Sequence, residues 1–351
     1  MTTYYVETGG NDSNSGLTWA LRKLTLNGVE DTPVEAGDTV YVGPGTYREM
    51  LTVDVSGSSG SPITYIGDYT GANTDGVGGL VRVTGSDDDL TASGRDSCIT
   101  ASNIDYRTFK GFYIDGGDVG QVRATNDVQG WTIEQCYFGS SGGNAHAVYF
   151  ASGASKLFNN NTVRNCVFNQ GGIGNSAVGV AFIYTGEINS SGNVVENCIF
   201  LSGYQGIRII YIGDAVVRNC FIANQVGAGI RTASINSSNK LVVNNCVFWN
   251  NATGISSAAA NQVTENYNSF YGNITARTNC ATGAQSNAFL GLFDSRWFFE
   301  LLNGGTLLTP IDLASYSGLI NVAGTSPTTA DMRGTTVQGT QREWGALEYD
   351  S

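Results

Sequence analysis

Apolar and polar residues along this chain trade places every one or two positions in short bursts, and no long window keeps the spacing of a helix. The bursts are rich in Val, Ile, Phe and Tyr and end in Gly, Asn or Ser, which is the pattern of short strands separated by turns. Four are close copies: TVRNCVF from Thr162, VVENCIF from Val194, VVRNCFI from Val216 and VVNNCVF from Val242, with TIEQCYF from Thr132 a looser one. Aligned on the step before the cysteine, Cys136, Cys166, Cys198, Cys220 and Cys246 occupy one column at intervals of 30, 32, 22 and 26 residues. Tyr267 extends the column 21 residues further on, and Gly111 precedes it by 25. β-rich units that repeat with such a drifting period predict a solenoid, with turns of varying length around a constant coil.

A second column recurs once per unit: Ala147-Val148-Tyr149, Gly179-Val180-Ala181, Gly206-Ile207-Arg208, Gly229-Ile230-Arg231 and Gly254-Ile255-Ser256. Each coil therefore carries at least two strands in fixed register. At the coil corner, Asn165, Asn197, Asn219, Asn245 and Asn266 are expected to stack amide on amide as a ladder. The five cysteines fill the core behind them as small hydrophobes. The position before the ladder reads Lys110, Glu134, Arg164, Glu196, Arg218, Asn244, Glu265, an outward column of alternating sign. Opposite charges on adjacent strands contribute roughly 0.2–1 kcal/mol each, less when solvated. Glu134 and Glu196 read as scaffold rather than as catalysts.

Composition narrows the classes. Glycine reaches 47 of 351 residues against 5 prolines, so the excess serves turns and not linkers. A formal charge of −12 disfavours both nucleic acid, which is bound through Lys and Arg, and anionic lipid. No apolar run approaches the ~20 residues of a membrane span, and MTTYYVETGG has the features of no leader peptide. The seven cysteines are odd in number and lack zinc-site spacing, so they read as packing residues.

The opening YYVETGGNDSNSGLTWA, followed by AGDTVYVGPGTYRE and SGSSGSPITYIGD, resembles the start of right-handed parallel β-helix proteins of the pectate-lyase-like superfamily, in its phage and bacterial form. The NC(V/I)F coils continue the likeness to about residue 280, and DMRGTTVQGTQREWGALEY is similar to the C-terminal segment of such chains. The resemblance implies an all-β fold, a single-stranded right-handed parallel β-helix capped at both ends. Residues 1–38 are expected as the N-terminal cap, with a strand at YYVE and an amphipathic piece around Leu17 to Leu26. Coils follow over 39–280, interrupted by loops at 67–79 and 84–97, and 281–351 forms the C-terminal cap. The superfamily hosts lyases, hydrolases, epimerases and inert virion proteins, so the fold alone does not assign an activity.

Candidate chemistry is sparse. Asp87, Asp88 and Asp89 read as a solvated loop, with a Ca²⁺ site of clustered oxygens as the weaker alternative because EF-hand spacing is missing, and no metal or cofactor is expected. Asp12 reads as a turn residue. Glycoside hydrolysis needs two carboxylates at set separations, and Asp115, Asp118, Glu187 and Asp214 sit near strand ends where such a pair could meet, although each reads more readily as a turn-capping acid. A lyase of uronic polymers instead needs a cation for the substrate carboxylate and a base for the adjacent proton. Tyr149, Arg208 and Arg231 face outward in the second column, with His146 nearby, and make the strongest anion or saccharide candidate. Arg208 and Arg231 should be like-charged neighbours, unfavourable unless an anion, a water or an acid lies between them. The patterns associated with pectate lyases, an Asp-rich calcium site and WxDH, are missing. Two functions remain. The first is a bacteriophage virion component, a head decoration, fibre or tailspike-like appendage made in the host cytoplasm, touching other virion proteins or two further copies of itself, and binding surface glycans. The alternative is a polysaccharide lyase or glycoside hydrolase for acidic polysaccharide, secreted after removal of a leader.

Overall fold

The computed structural model describes residues 1–283 and 287–288, apart from 90–93, 142–144, 154–155, 171–176, 185–189, 211–212 and 234–240. The C-terminal cap expected over 281–351 lies almost entirely outside the described residues. Within them every pairing between named strands is parallel and joins one coil to the next. A first sheet holds ten strands in the order of the chain, from Thr3–Val6 to Val263–Asn266. One full turn shows the rest: Thr162–Arg164 lies in the first sheet, Val167–Asn169 in the second and Val178–Tyr184 in the third. Each pairs with its counterpart in the next turn, Thr162 with Val194, Val167 with Ile199 and Val180 with Ile207. Thr3–Val6 pairs with Thr39–Val42, so the stacking already begins inside the segment expected as the cap.

The corner between the first and second sheets explains the repeated asparagine. Gln135, Asn165, Asn197, Asn219 and Asn245 all have φ between 52° and 56°, in the left-handed region. Asparagine tolerates that conformation best among residues with a side chain. Their backbone N–H groups still donate to the next coil, Asn165 to the Glu196 carbonyl and Asn219 to the Asn244 carbonyl. The corner thus turns without breaking the ladder between coils. Side-chain amide ladders occur at other buried positions: Asn161 Nδ2 donates to Asn193 Oδ1 at 3.0 Å, and Asn251 Nδ2 to Asn273 Oδ1 at 2.9 Å. Both sit where the chain enters a strand, and the sequence reading missed them.

Register corrects the ends of the column. Lys110 pairs with Glu134 and Asn244 with Asn266, which puts Gly111 (φ 80°) and Tyr267 (φ 57°) at the left-handed corner, not among the cysteines. Asn266 therefore belongs to the charged column and not to the corner. Glu265 takes the inward place occupied by Val243 one coil earlier. There it accepts from Arg277 Nε at 2.6 Å, from Asn268 and from the Gly283 N–H. Arg277 stands where Ile255 stood and stacks 4.0 Å from the Phe270 ring. A polar plug ends the apolar core at this coil.

Inside, like residues stack coil on coil. Val163, Val195, Val217 and Val243 are fully buried, and Phe138, Phe168 and Phe200 stack with centroids 4.8 and 4.6 Å apart. Those distances match the ~4.8 Å spacing of hydrogen-bonded strands. Cys136, Cys166, Cys198, Cys220 and Cys246 form a buried column of free thiols, joined in the core by Cys98. Burial raises the thiols of Cys136, Cys198 and Cys246, and that of Cys98 to about 12, because a thiolate there would lose its hydration. On the outer face Glu134 meets Lys110 at 3.4 Å and Arg164 at 2.5 Å, and Glu196 meets Arg218 at 2.5 Å. Charge alternation there supports the stacking of coils.

The N-terminal end is closed by a 3₁₀ turn, Trp19–Leu21, and one helical turn, Asn27–Glu30, in place of the longer piece expected around Leu17 to Leu26. Asp12 Oδ1 accepts from the N–H groups of Leu24 and Thr25 and holds this segment. Glu30 then reaches into the first coils. Its carboxylate accepts from Arg107 Nη1 at 2.9 Å and Nη2 at 2.8 Å, and from the Tyr65 hydroxyl. Arg107 is fully buried. The strand Arg95–Ser102 begins inside the segment expected as a loop over 84–97.

Removing one member of a buried ion pair leaves the other charge uncompensated, at about 3–5 kcal/mol. Glu30→Ala is expected to lower unfolding stability by that amount, whereas Lys110→Ala, at a partly exposed pair, changes it by less than about 1 kcal/mol. Denaturant midpoints for the two variants check this, and equal shifts contradict it. A thiol-labelling experiment tests the core. Native protein should label at Cys280 at most, with the other six thiols reacting only on unfolding.

Candidate functional site

The third sheet presents its outer face as two rows. Strand pairing aligns Thr100, Arg123, Tyr149, Ala181, Arg208, Arg231 and Ser256 as one row along the stacking axis. A flanking row three residues earlier on each strand holds Gly120, His146, Val178, Gln205 and Ala228. Side-chain contacts join the two rows, although the flanking one is buried apart from half-exposed His146, and Ala181 in the arginine row is buried as well. A Cβ built on Gly120 would lie 3.3 Å from Tyr149 Cβ and 3.4 Å from Arg123 Cβ, so glycine lets these side chains close over the backbone.

Within this face His146 and Tyr149 meet with ring centroids 5.1 Å apart. Arg208 Nε donates to Gln205 Oε1 at 2.7 Å, which fixes the guanidinium and leaves its terminal nitrogens for another partner. Arg208 pairs in register with Arg231 on the next coil. Burial first, and the Arg231 charge second, lower the Arg208 pKa. Every other arginine among the described residues is ion-paired with a carboxylate. Arg123, Arg208 and Arg231 are the exceptions, and they share this row. Arg123 is half-buried, and its Nε is enclosed without a hydrogen-bond partner among the described residues. Its place was legible as Val122-Arg123, 26 residues before Val148-Tyr149, but without the Gly-Ile marker of the later copies the sequence reading passed it over. Gln205 stands directly before the Gly206-Ile207-Arg208 copy and was missed because the column was read only from its glycine onward.

The other sequence candidates lie elsewhere. Asp115 is buried in the second sheet and accepts from Arg82 Nε at 3.1 Å and Nη2 at 2.9 Å, so it is a structural partner and not a free acid. Asp118 begins the strand Gly117–Thr125, and burial, then the charge of Asp96, raises its carboxyl. Asp214 is exposed beside the first sheet, remote in the coil from the arginine row. Glu187 lies outside the described residues. Asp89 meets Arg48 at 2.6 Å and Arg82 at 2.7 Å, and Asp87 meets Arg95 at 2.9 Å, so these oxygens are turned onto arginines. No group of three candidate ligands for a metal ion occurs among the described residues.

His146 is the sole histidine of the chain, and burial, followed by the Arg208 charge, lowers its pKa from 6.5 to about 4. The imidazole is therefore neutral above about pH 4 in the folded protein. The unfolded chain binds the extra proton across the interval from about 4 to 6.5, so stability falls as pH drops through that window. A proton NMR titration should show one imidazole with a midpoint near 4, and His146→Asn should flatten the stability profile there. A midpoint near 6.5 contradicts the buried placement.

A family model described as "Right handed beta helix region" matches residues 81–289. No curated protein matches the sequence. Among solved structures, pectate lyase Pel9A is similar over 100% of this chain and 97% of its own, with 16% identity and a TM-score of 0.62. A rhamnogalacturonan lyase is similar over 78% of this chain and 74% of its own, with 20% identity and a TM-score of 0.54. At these identities the likeness shows the fold. Three parallel sheets, the left-handed corner and the family match agree: the chain belongs to the right-handed parallel β-helix family.

Proposed function

We propose that this protein binds acidic polysaccharide along the outer face of its third sheet, with Arg208 and Arg231 seating a carboxylate. One observation carries the reading: the three described arginines without an acidic partner stand in a single row, in a chain of net charge −12. Two guanidinium groups in register on adjacent strands repel each other, and an anion between them turns that repulsion into two charge-assisted hydrogen bonds. Bidentate geometry suits a carboxylate better than it suits a neutral hydroxyl. Tyr149, Gln205 and neutral His146 supply hydroxyl, amide and imidazole groups for sugar hydroxyls beside the seat. A β-helix carried on a virion and one secreted by a cell present the same face, so the proposal concerns the face and not the place. The two solved structures it resembles are named pectate lyase and rhamnogalacturonan lyase, which agrees with a binding face for such a chain.

Calorimetric titration with polygalacturonate and with dextran tests this. Binding of the acidic polymer is expected, weakening with salt, and the neutral polymer should not bind. Arg208→Ala should remove a hydrogen bond to a charged group, about 1.5–3 kcal/mol, or roughly tenfold to a hundredfold in affinity. Arg164→Ala, in the paired column of the first sheet, should leave affinity unchanged. Equal binding of both polymers, or equal loss in both variants, contradicts the proposal.

A further inference from the structure

We infer that the outer face of the second sheet is the docking site of this chain's own apolar segment over 289–302, which folds back from the last coil and straps five coils together. Pairing aligns Val167, Ile199, Phe221, Val247 and Ser269 as one row along the stacking axis. The row alternates with the inward column of Phe168, Phe200, Ile222, Phe248 and Phe270, so its side chains point away from the core. Side chains that point outward from a solenoid meet water unless something covers them. Val167, Ile199, Phe221 and Val247 are nonetheless no more than 6% exposed. The first sheet gives the comparison, because its outward Val194, Val216 and Val242 stack in the same way and are only half-buried. Stacked outward valines on the two sheets therefore differ in what lies over them.

No described helix is placed to do this, since the 3₁₀ turn and the single helical turn both lie at the N-terminal end. The strands of the second sheet contact other strands of the coils. Ser269 adds a polar requirement. It is fully buried on the same row, and its hydroxyl has no hydrogen-bond partner among the described residues. A buried hydroxyl without a partner is destabilising, so the cover brings a hydrogen-bonding group, as polypeptide backbone does. Chain connectivity then names the cover. The strand Asn287–Ala288 pairs with Ser269–Tyr271 in this same sheet, so the segment that follows starts at the edge of the row. That segment carries Phe289, Leu290, Leu292 and Phe293 and then the run Trp297-Phe298-Phe299 with Leu301 and Leu302. The internal alternative beside this sheet, GGIGNS over 171–176, has one large apolar residue. From Asn287 back to Val167 is five coil steps, about 24 Å at ~4.8 Å each. The fourteen residues 289–302 reach at most about 50 Å extended and about 21 Å as a helix, so they span the row. Tyr113 and Tyr137, stacked and half-buried, continue the row beyond Val167 and mark where the strap ends.

The test is photo-cross-linking on the full chain with p-benzoylphenylalanine in place of Trp249, whose ring lies 6.2 Å from that of Phe221. Chains of ordinary and heavy nitrogen are mixed, illuminated and mapped by peptide. A link to residues 289–302 within one molecule is expected. A link between molecules would give the face to a second copy, and a link to 171–176, or to no peptide, would remove the strap; each of these overturns the inference. Proteolysis gives an independent reading. Val247→Asp should speed cleavage within 289–351 roughly tenfold or more, with the six core thiols still unreactive. Val194→Asp, on the half-buried row of the first sheet, should leave that rate unchanged. If Val247→Asp exposes the thiols, Val247→Ser takes its place in the comparison. Cleavage as slow in the second-sheet variant as in the parent chain overturns the strap. No sugar enters either readout, so their failure leaves the binding proposal untouched.

Discussion

The hydrogen-bonded register between successive coils governs everything else in this molecule. Each coil must present its N–H and C=O groups directly over those of the next, because an unpaired buried backbone group costs as much as a lost hydrogen bond. The chain must therefore bend at the same place in every turn without taking donors out of the ladder. The left-handed residue at Gln135, Asn165, Asn197, Asn219, Asn245 and Tyr267 does that. Once the bend is fixed, every side chain inherits a vertical neighbour, and the problem of sequence becomes one of choosing columns.

Columns succeed or fail by what stacks on what. Valines and phenylalanines stack on their own kind and exclude water. Thiols stack because they are small, and burial raises those of Cys136, Cys198 and Cys246. Charges on the first sheet stack by alternating sign, Lys110 and Arg164 about Glu134 and Arg218 on Glu196. The third sheet departs from this rule, since its row sets Arg208 on Arg231 with no acid beside them among the described residues. Where an otherwise consistent pattern admits a local conflict, a functional site is the usual reason. The same logic links scaffold and function, because the register that holds the coils together also fixes the spacing of the cations.

Much of this was legible in one sequence. The Asn-Cys step revealed the coil, and the Gly-Ile-Arg copies alone put Arg208 beside Arg231. What escaped had a physical reason in each case. Glu265 was set in the outward column because VTEN resembles VVEN, yet the strand there is shifted by one residue and the carboxylate turns inward to Arg277. Corner asparagines were read for their amides, whereas the backbone conformation they tolerate distinguishes them. Asp115 stood among the candidate acids, and its ion pair escaped the sequence because its partner Arg82 is 33 residues away and only the fold brings them together. Arg123 lacked a repeat marker, and a register argument finds it only after the sheet is built.

The most direct measurement is an experimental structure of the protein with an oligouronide bound. The account predicts a sugar chain on the third sheet with one carboxylate between Arg208 and Arg231 and another of its rings toward Tyr149. An oligomer found on the first or second sheet, or on the third sheet with those two guanidinium groups untouched, would contradict it.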